Sequence, residues 1–201
     1  MATTLDFMRH GEPVGGRRYR GQIDDPLSEK GWAQMRASVG EHRPWSRIAS
    51  SPLLRCRAFA EELAESHQLP LSFDDRMKEV GFGAWEGKSA AQLNEENPQQ
   101  LPRFKLDPVN ARPAGAEPLA DFFTRVAAGI ESLLQSCTEE HVLVICHAGV
   151  IRMAMAHGLH IPLAHAYRID VPTSGFTRIS YEAGPPLRAT LKFHGAHVLP
   201  A

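Results

Sequence analysis

The chain has 201 residues, 43% hydrophobic and 22% charged, which suits one globular domain over 1–201. A formal net charge of -1 offers no broad basic surface to nucleic acid or to an anionic membrane, and no apolar run approaches the roughly 18 residues of a membrane span. Three cysteines without a C-x-x-C pair argue against a disulfide framework and suit a reducing cytoplasm, as does an N-terminus that lacks the pattern of a signal peptide.

The first apolar run, Leu5 to Met8, predicts a strand that stops at Arg9-His10-Gly11-Glu12. Strand ends in open α/β sheets are where ligands sit. A neutral imidazole can attack phosphorus, and a guanidinium can hold phosphate oxygens in a planar fork. The stretch therefore reads as a phosphoryl site with His10 as nucleophile. A polar, glycine-rich loop follows, from Gly15 to Gln22, with Arg17, Arg18 and Arg20 as candidate substrate contacts.

Ser28 predicts the N-cap of a helix that Gly40 ends. Arg47-Ile48-Ala49 is a short strand. Ser51 as N-cap, with Pro52 at the first helical position, predicts a helix from about Leu53 to His67. Its face is Leu53, Cys56, Phe59, Ala60 and Leu63, and Arg55 in its first turn can point toward the sheet edge that carries His10. Leu71-Ser72-Phe73 is another strand. Arg76 to Gly87 reads as a loop containing the carboxylate Glu79, and Ser89 to Glu96 as a short helix. Residues 97–118, rich in proline, read as a long loop without a period, of the kind that forms lids.

Leu119 to Leu134 matches the helical template throughout. Val142 to Cys146 is apolar at every position, as in a strand buried on both faces, and ends in His147-Ala148-Gly149 before a helix. This repeats the pattern at His10, so the two histidines are expected to face each other from two central strands. Tyr167–Val171, Phe176–Tyr181 and 186–195 read as further strands. Alternating strands and helices predict a three-layer α/β/α sandwich with a mostly parallel central sheet. His157, His160 and His165 include no H-E-x-x-H motif and are read as ordinary histidines.

Four blocks occur in order: Arg9-His10-Gly11-Glu12; Ser50-Ser51-Pro52-Leu53-Leu54-Arg55-Cys56; Glu79 ahead of Gly81-Phe82-Gly83-Ala84-Trp85-Glu86-Gly87; and Cys146-His147-Ala148-Gly149-Val150-Ile151-Arg152. With them the chain resembles the histidine phosphatase superfamily, the phosphoglycerate-mutase-like group, over nearly its whole length. Tyr19-Arg20-Gly21-Gln22, Asp24-Asp25-Pro26-Leu27-Ser28 and Arg112 to Glu117 are most similar to the α-ribazole-5'-phosphate phosphatases of cobalamin biosynthesis. The sequence departs from the family pattern at Pro13, Gly16 and Cys146, where hydroxyl, Asn, and Ser or Thr residues are usual.

The resemblance implies a phosphomonoester hydrolase that works through a phosphohistidine and needs no metal or other cofactor. His10 is the implied nucleophile, with Arg9, Arg55 and His147 on the phosphate oxygens and Glu79 as proton donor and then base. Gly21, Gln22 and Arg20 are implied at the phosphate side of the pocket. The expected partner is a small phosphate ester, with a homodimer compatible with the family. Alternatives are a broad-specificity sugar-phosphate phosphatase, a phosphoglycerate mutase, or a non-catalytic binding module on the same fold.

Overall fold

The computed structural model describes residues 2–182, 184 and 188–199. Its strands are β1 (Ala2–Arg9), β2 (Arg47–Ser50), β3 (Leu71–Phe73), β4 (His141–Cys146), β5 (Phe176–Glu182) and β6 (Arg188–Ala196). They form one sheet in the order β3-β2-β4-β1-β5-β6. The pairs from β3 to β1 are parallel, and β5 and β6 add on in antiparallel fashion. The helices are α1 (Glu29–Val39), α2 (Leu54–His67), α3 (Ala90–Glu96), α4 (Gln100–Leu106), α5 (Leu119–Ser136) and α6 (Ala148–Leu159). None of those described is long and apolar enough to cross a membrane.

Strand alternation sorts the core into two layers. Leu5 and Phe7 of β1, with Val142 and Val144 of β4, pack with Phe122, Val126 and Ile130 of α5 and with Val150 and Met153 of α6. Met8, Leu143 and Ile145 point the other way and pack with Met35 of α1 and Phe59 and Leu63 of α2. Both faces of β4 are thus buried, which is why its sequence is apolar at every position. Asp6 is the polar exception. It is fully buried in β1 and bonds to Arg178 of β5, His141 of β4 and Trp45, all at 2.7 to 2.9 Å. Burial alone would raise the pKa of Asp6, but these partners together hold it below its usual value.

Three expectations need correction, and the last strand is found. Helix α2 starts at Leu54 rather than Leu53, and Ser51 does not cap it. The Leu54 N–H instead donates to Asp24 Oδ1 at 2.5 Å, and the Ser51 hydroxyl lies 2.7 Å from His147 Nε2. The 97–118 segment is not all loop, because it contains α4, which buries Leu101 and Phe104. Pro102 conceals that helix in the sequence, yet it sits in the first turn, where a backbone N–H has no helical partner to lose. Tyr167–Val171 is not a strand, since Leu163–Arg168 forms a 3-10 turn. The carbonyls of Ile169, Asp170 and Val171 pair with side chains of Arg152, His194 and Arg9 instead of a neighbouring strand. The last strand begins at Arg188, and residues 186 and 187 lie outside the described part.

Candidate active site

Strands β1 and β4 are parallel neighbours in which Arg9 is level with Cys146. The next residue of each chain segment is a histidine, so His10 and His147 leave the sheet side by side at its C-terminal edge. Their rings meet edge-on, with centroids 5.2 Å apart and planes at 65°. Strand β2 lies on the other side of β4 and delivers Ser51 and, in the first turn of α2, Arg55.

His10 is buried, and its Nδ1 lies 2.7 Å from the Gly11 carbonyl. That contact requires a proton on Nδ1, which leaves the Nε2 lone pair free. Burial, then the charges of Arg55 and Arg9, push the His10 pKa well below the ordinary value of 6.5. The ring is therefore neutral at physiological pH. His147 is fully buried and is held neutral in the same way, by burial and then by Arg55, His10 and Arg9. Its Nε2 is also 3.6 Å from Cys56 Sγ.

The two arginines are anchored by backbone carbonyls. Arg9 Nη1 donates to Val171 O at 2.5 Å. Arg55 Nη1 and Nη2 donate to Ile23 O and Gly21 O at 2.6 and 2.8 Å. In both, Nε is buried and has no hydrogen-bond partner among the described residues. Unpaired buried donors on charged groups are costly, so this pair suits an oxyanion that would satisfy them.

Glu79 reaches the same place from the other wall. Its Oε1 accepts from the Val80 N–H at 3.0 Å, and its Oε2 from the Gly149 N–H at 3.2 Å, in the first turn of α6. Its backbone is fixed by Arg125 of α5. That guanidinium donates to the carbonyls of Arg76, Lys78 and Glu79 and, through two nitrogens, to Glu117, at 2.6 to 3.0 Å. Glu117 in turn accepts from the Gly81 N–H at 3.1 Å.

The remaining expected residues build the nearby loop. All three guanidinium nitrogens of Arg20 bond within it, to Asp25 at 2.9 Å, Gly16 O at 2.6 Å and Val14 O at 2.5 Å. Arg20 was expected at the phosphate; it borders the cleft but its donors hold the loop together. Gly21 contributes its carbonyl to Arg55. It has a φ of 53°, and a Cβ there would lie 1.9 Å from Glu86 Oε1. Gln22 is exposed and donates to the Glu79 carbonyl at 3.3 Å. Gly16 has a φ of 71°, a left-handed conformation that Gly and Asn both tolerate, which accounts for the departure there. Pro13 accepts from the Gly16 N–H and bridges to Leu27, while the carbonyl of buried Cys146 accepts from the His10 N–H.

His10, Arg9, Arg55, Glu79, Arg20 and Gly21 line a cleft of about 610 Å³ whose aromatic side is Tyr19, Phe82, Phe104 and Tyr167. Sequence reasoning missed Ser51 at His147, Arg125 behind Glu79 and Arg152 in the cleft. Arg125 follows no motif, and only the fold brings it to the site; Arg152 closes the last of the four blocks, which by itself assigns it no role. Ser51 lies in a block that was singled out, but its hydroxyl was assigned to a helix cap.

A neutral histidine pair flanked by buried arginines thus stands at the C-terminal edge of a three-layer α/β sandwich. A family model described as the histidine phosphatase superfamily (branch 1) matches residues 5–192, and the chain belongs to that superfamily. It is 31% identical over 186 residues to a bifunctional protein of Mycobacterium tuberculosis, covering 90% of this chain and 51% of that one. The chain thus spans about half the length of the first such curated relatives. It is 30% identical over 193 residues to the adenosylcobalamin/alpha-ribazole phosphatase of Salmonella typhimurium, covering 94% of each. Its structure is similar to a mycobacterial glucosyl-3-phosphoglycerate phosphatase solved with VO3. The TM-score is 0.86 at 28% identity, over 96% of this chain and 99% of the other.

Proposed function

We propose that the protein hydrolyses phosphate monoesters through a phosphohistidine. One observation carries this reading: His10 is held neutral with Nδ1 tied to Gly11, so that Nε2 is the nucleophilic atom, between two guanidiniums with unpartnered Nε donors. Nε2 attacks phosphorus and forms the P–N bond as the ester P–O bond breaks. Arg9, Arg55 and His147 stabilise the charge on the equatorial oxygens, the main demand of phosphoryl transfer. Glu79 gives its proton to the departing oxygen. The carboxylate then takes a proton from water, which attacks phosphorus, breaks the P–N bond and releases phosphate.

The finer reading, α-ribazole 5'-phosphate as substrate, is supported by the likeness to the Salmonella typhimurium enzyme and by an aromatic side of the cleft that offers ring faces to a flat base. The test is phosphate release from a panel of α-ribazole 5'-phosphate, sugar phosphates and phosphoglycerates, with His10→Ala as the blank. Release by the wild type and none by the variant is expected. Equal rates in the two proteins would remove His10 as nucleophile. Transfer of phosphate to a second hydroxyl without release would turn the reading to a mutase.

A further inference from the structure

The two buried histidines have opposite duties in the proposed reaction, and each is tied by the opposite kind of neighbour. His10 must offer a lone pair. Its Nδ1 meets the Gly11 carbonyl, which can only accept, so the ring hydrogen is on Nδ1 and the lone pair on Nε2. His147 must offer an N–H to phosphate oxygens. Its Nε2 meets a hydroxyl, Ser51 Oγ, at 2.7 Å, and both residues are fully buried.

The other polar groups of Ser51 are all taken. Its N–H donates to the Ile145 carbonyl at 3.0 Å, and its carbonyl accepts from the Ser50 hydroxyl at 2.9 Å. Its Oγ accepts from the Leu53 N–H at 3.3 Å, which leaves the hydroxyl hydrogen to be placed. Two groups among the described residues are near enough to take it. One is the Cys56 thiol, a weak acceptor whose own S–H donates to the Cys146 carbonyl at 3.4 Å. The other, and the stronger, is His147 Nε2. A neutral imidazole carries one hydrogen, and burial with the nearby charges keeps His147 neutral. With Nε2 accepting, that hydrogen is on Nδ1, which among the described residues has only a long contact, to Cys56 Sγ at 3.9 Å. The reverse arrangement would leave a buried hydroxyl hydrogen with a thiol as its acceptor and would set a lone pair at Nδ1, where an anion needs a donor.

We propose that Ser51 is a positioning residue: its hydroxyl donates to His147 Nε2, confines the ring to its Nδ1–H form and so makes His147 a ready donor to a phosphate held at His10. Neither Ser51 nor His147 lines the cleft; His147 is packed edge-on against the His10 ring, and Ser51 acts through it. The inference rests on the phosphatase reading for the identity of the anion.

Nitrogen NMR of the phosphate-free wild type, with isotope-labelled histidine and His147→Gln to assign the signals of residue 147, tests it at neutral pH. A pyrrole-type shift at Nδ1 and a pyridine-type shift at Nε2 are expected. Pyrrole-type shifts at Nε2, or at both nitrogens, would overturn the proposal, and this reading needs no Ser51 variant to fold. Ser51→Ala is then expected to move His147 toward the Nε2–H form and to weaken inorganic phosphate, followed by calorimetry, about fivefold or more, as the binding form becomes a minority. The His10 signals should stay in place, which a general loosening of the site would not allow. Ser51→Thr, which keeps the hydroxyl, should hold the Nδ1–H form. An alanine variant with the wild-type tautomer, or with displaced His10 signals, would overturn the proposal, as would a folded threonine variant in the Nε2–H form. Ester hydrolysis by the wild type is scored separately. The expected tautomer and phosphate binding without hydrolysis would keep the role of Ser51 and remove the phosphatase reading; the opposite tautomer in an active enzyme would do the reverse.

Discussion

Glu79 and Gly149 meet with no space between them. The Gly149 N–H donates to Glu79 Oε2 at 3.2 Å, and a Cβ at position 149 would stand 2.1 Å from Oε1. Glycine is required there because the carboxylate occupies the volume of a methyl group. Gly149→Ala is expected to displace Glu79 and to lower kcat on alkyl phosphates by on the order of 10²-fold or more, the usual worth of a positioned proton donor. A rate within a few fold of wild type would take Glu79 out of the reaction.

His10→Ala should abolish turnover, and rapid-quench labelling should trap no acid-labile phosphoenzyme. Arg55→Ala should cost on the order of 10²-fold or more in kcat/KM. Arg55 also holds the carbonyls of Gly21 and Ile23, so Arg55→Lys, which keeps the charge but not the fork, should recover only part of that loss. Full recovery with Lys would mean that charge alone matters.

Arg125 acts on the reaction through Glu79. All five of its N–H groups bond to the 76–79 backbone or to Glu117. Arg125→Lys should slow alkyl phosphates by about tenfold or more, while nitrophenyl phosphate, whose leaving group needs no proton, should lose much less. Equal losses on the two substrates would assign Arg125 to general stability.

The neutral histidine pair also ties stability to pH. In the folded protein, His10 and His147 have pKa values well below 6.5, whereas in the unfolded chain they protonate near about 6.5. As pH falls below that point, the unfolded chain binds protons that the folded one refuses, so stability present at neutral pH is lost. The unfolding free energy from denaturant titrations should fall from about pH 7 to about pH 5, by at most about 1.4 kcal/mol per pH unit for each histidine. His147→Gln should flatten the slope. A wild-type profile already flat over this range would contradict a neutral pair.

The sequence was most legible where one signal acted alone. The α1 cap at Ser28, the short helix before Pro98, the apolar stripe of α5 and the two-sided burial of β4 each rest on local pattern, and each is found in the structure. It misled where a side chain had a distant partner. Ser51 looks like a cap but bonds His147, and the 167–171 carbonyls look free to pair as a strand but accept from Arg9, Arg152 and His194. Within the site, His10, Arg9, Arg55 and Glu79 line one cleft, and His147 is buried against the His10 ring. Arg125 is not legible in the sequence because it is a single arginine in an otherwise ordinary helix, and Arg152 stands in a recognised block that gives it no role.

The side-by-side placement of residues 10 and 147 has a kinetic meaning. Their meeting needs β1 and β4 in register, and Arg55 joins only when β2 has docked on the far side of β4. No local segment can assemble the cleft alone, and such long-range pairings form late when a chain folds. On dilution from denaturant, helical signal should therefore return ahead of turnover, and catalysis should reappear only with the slowest phase of refolding.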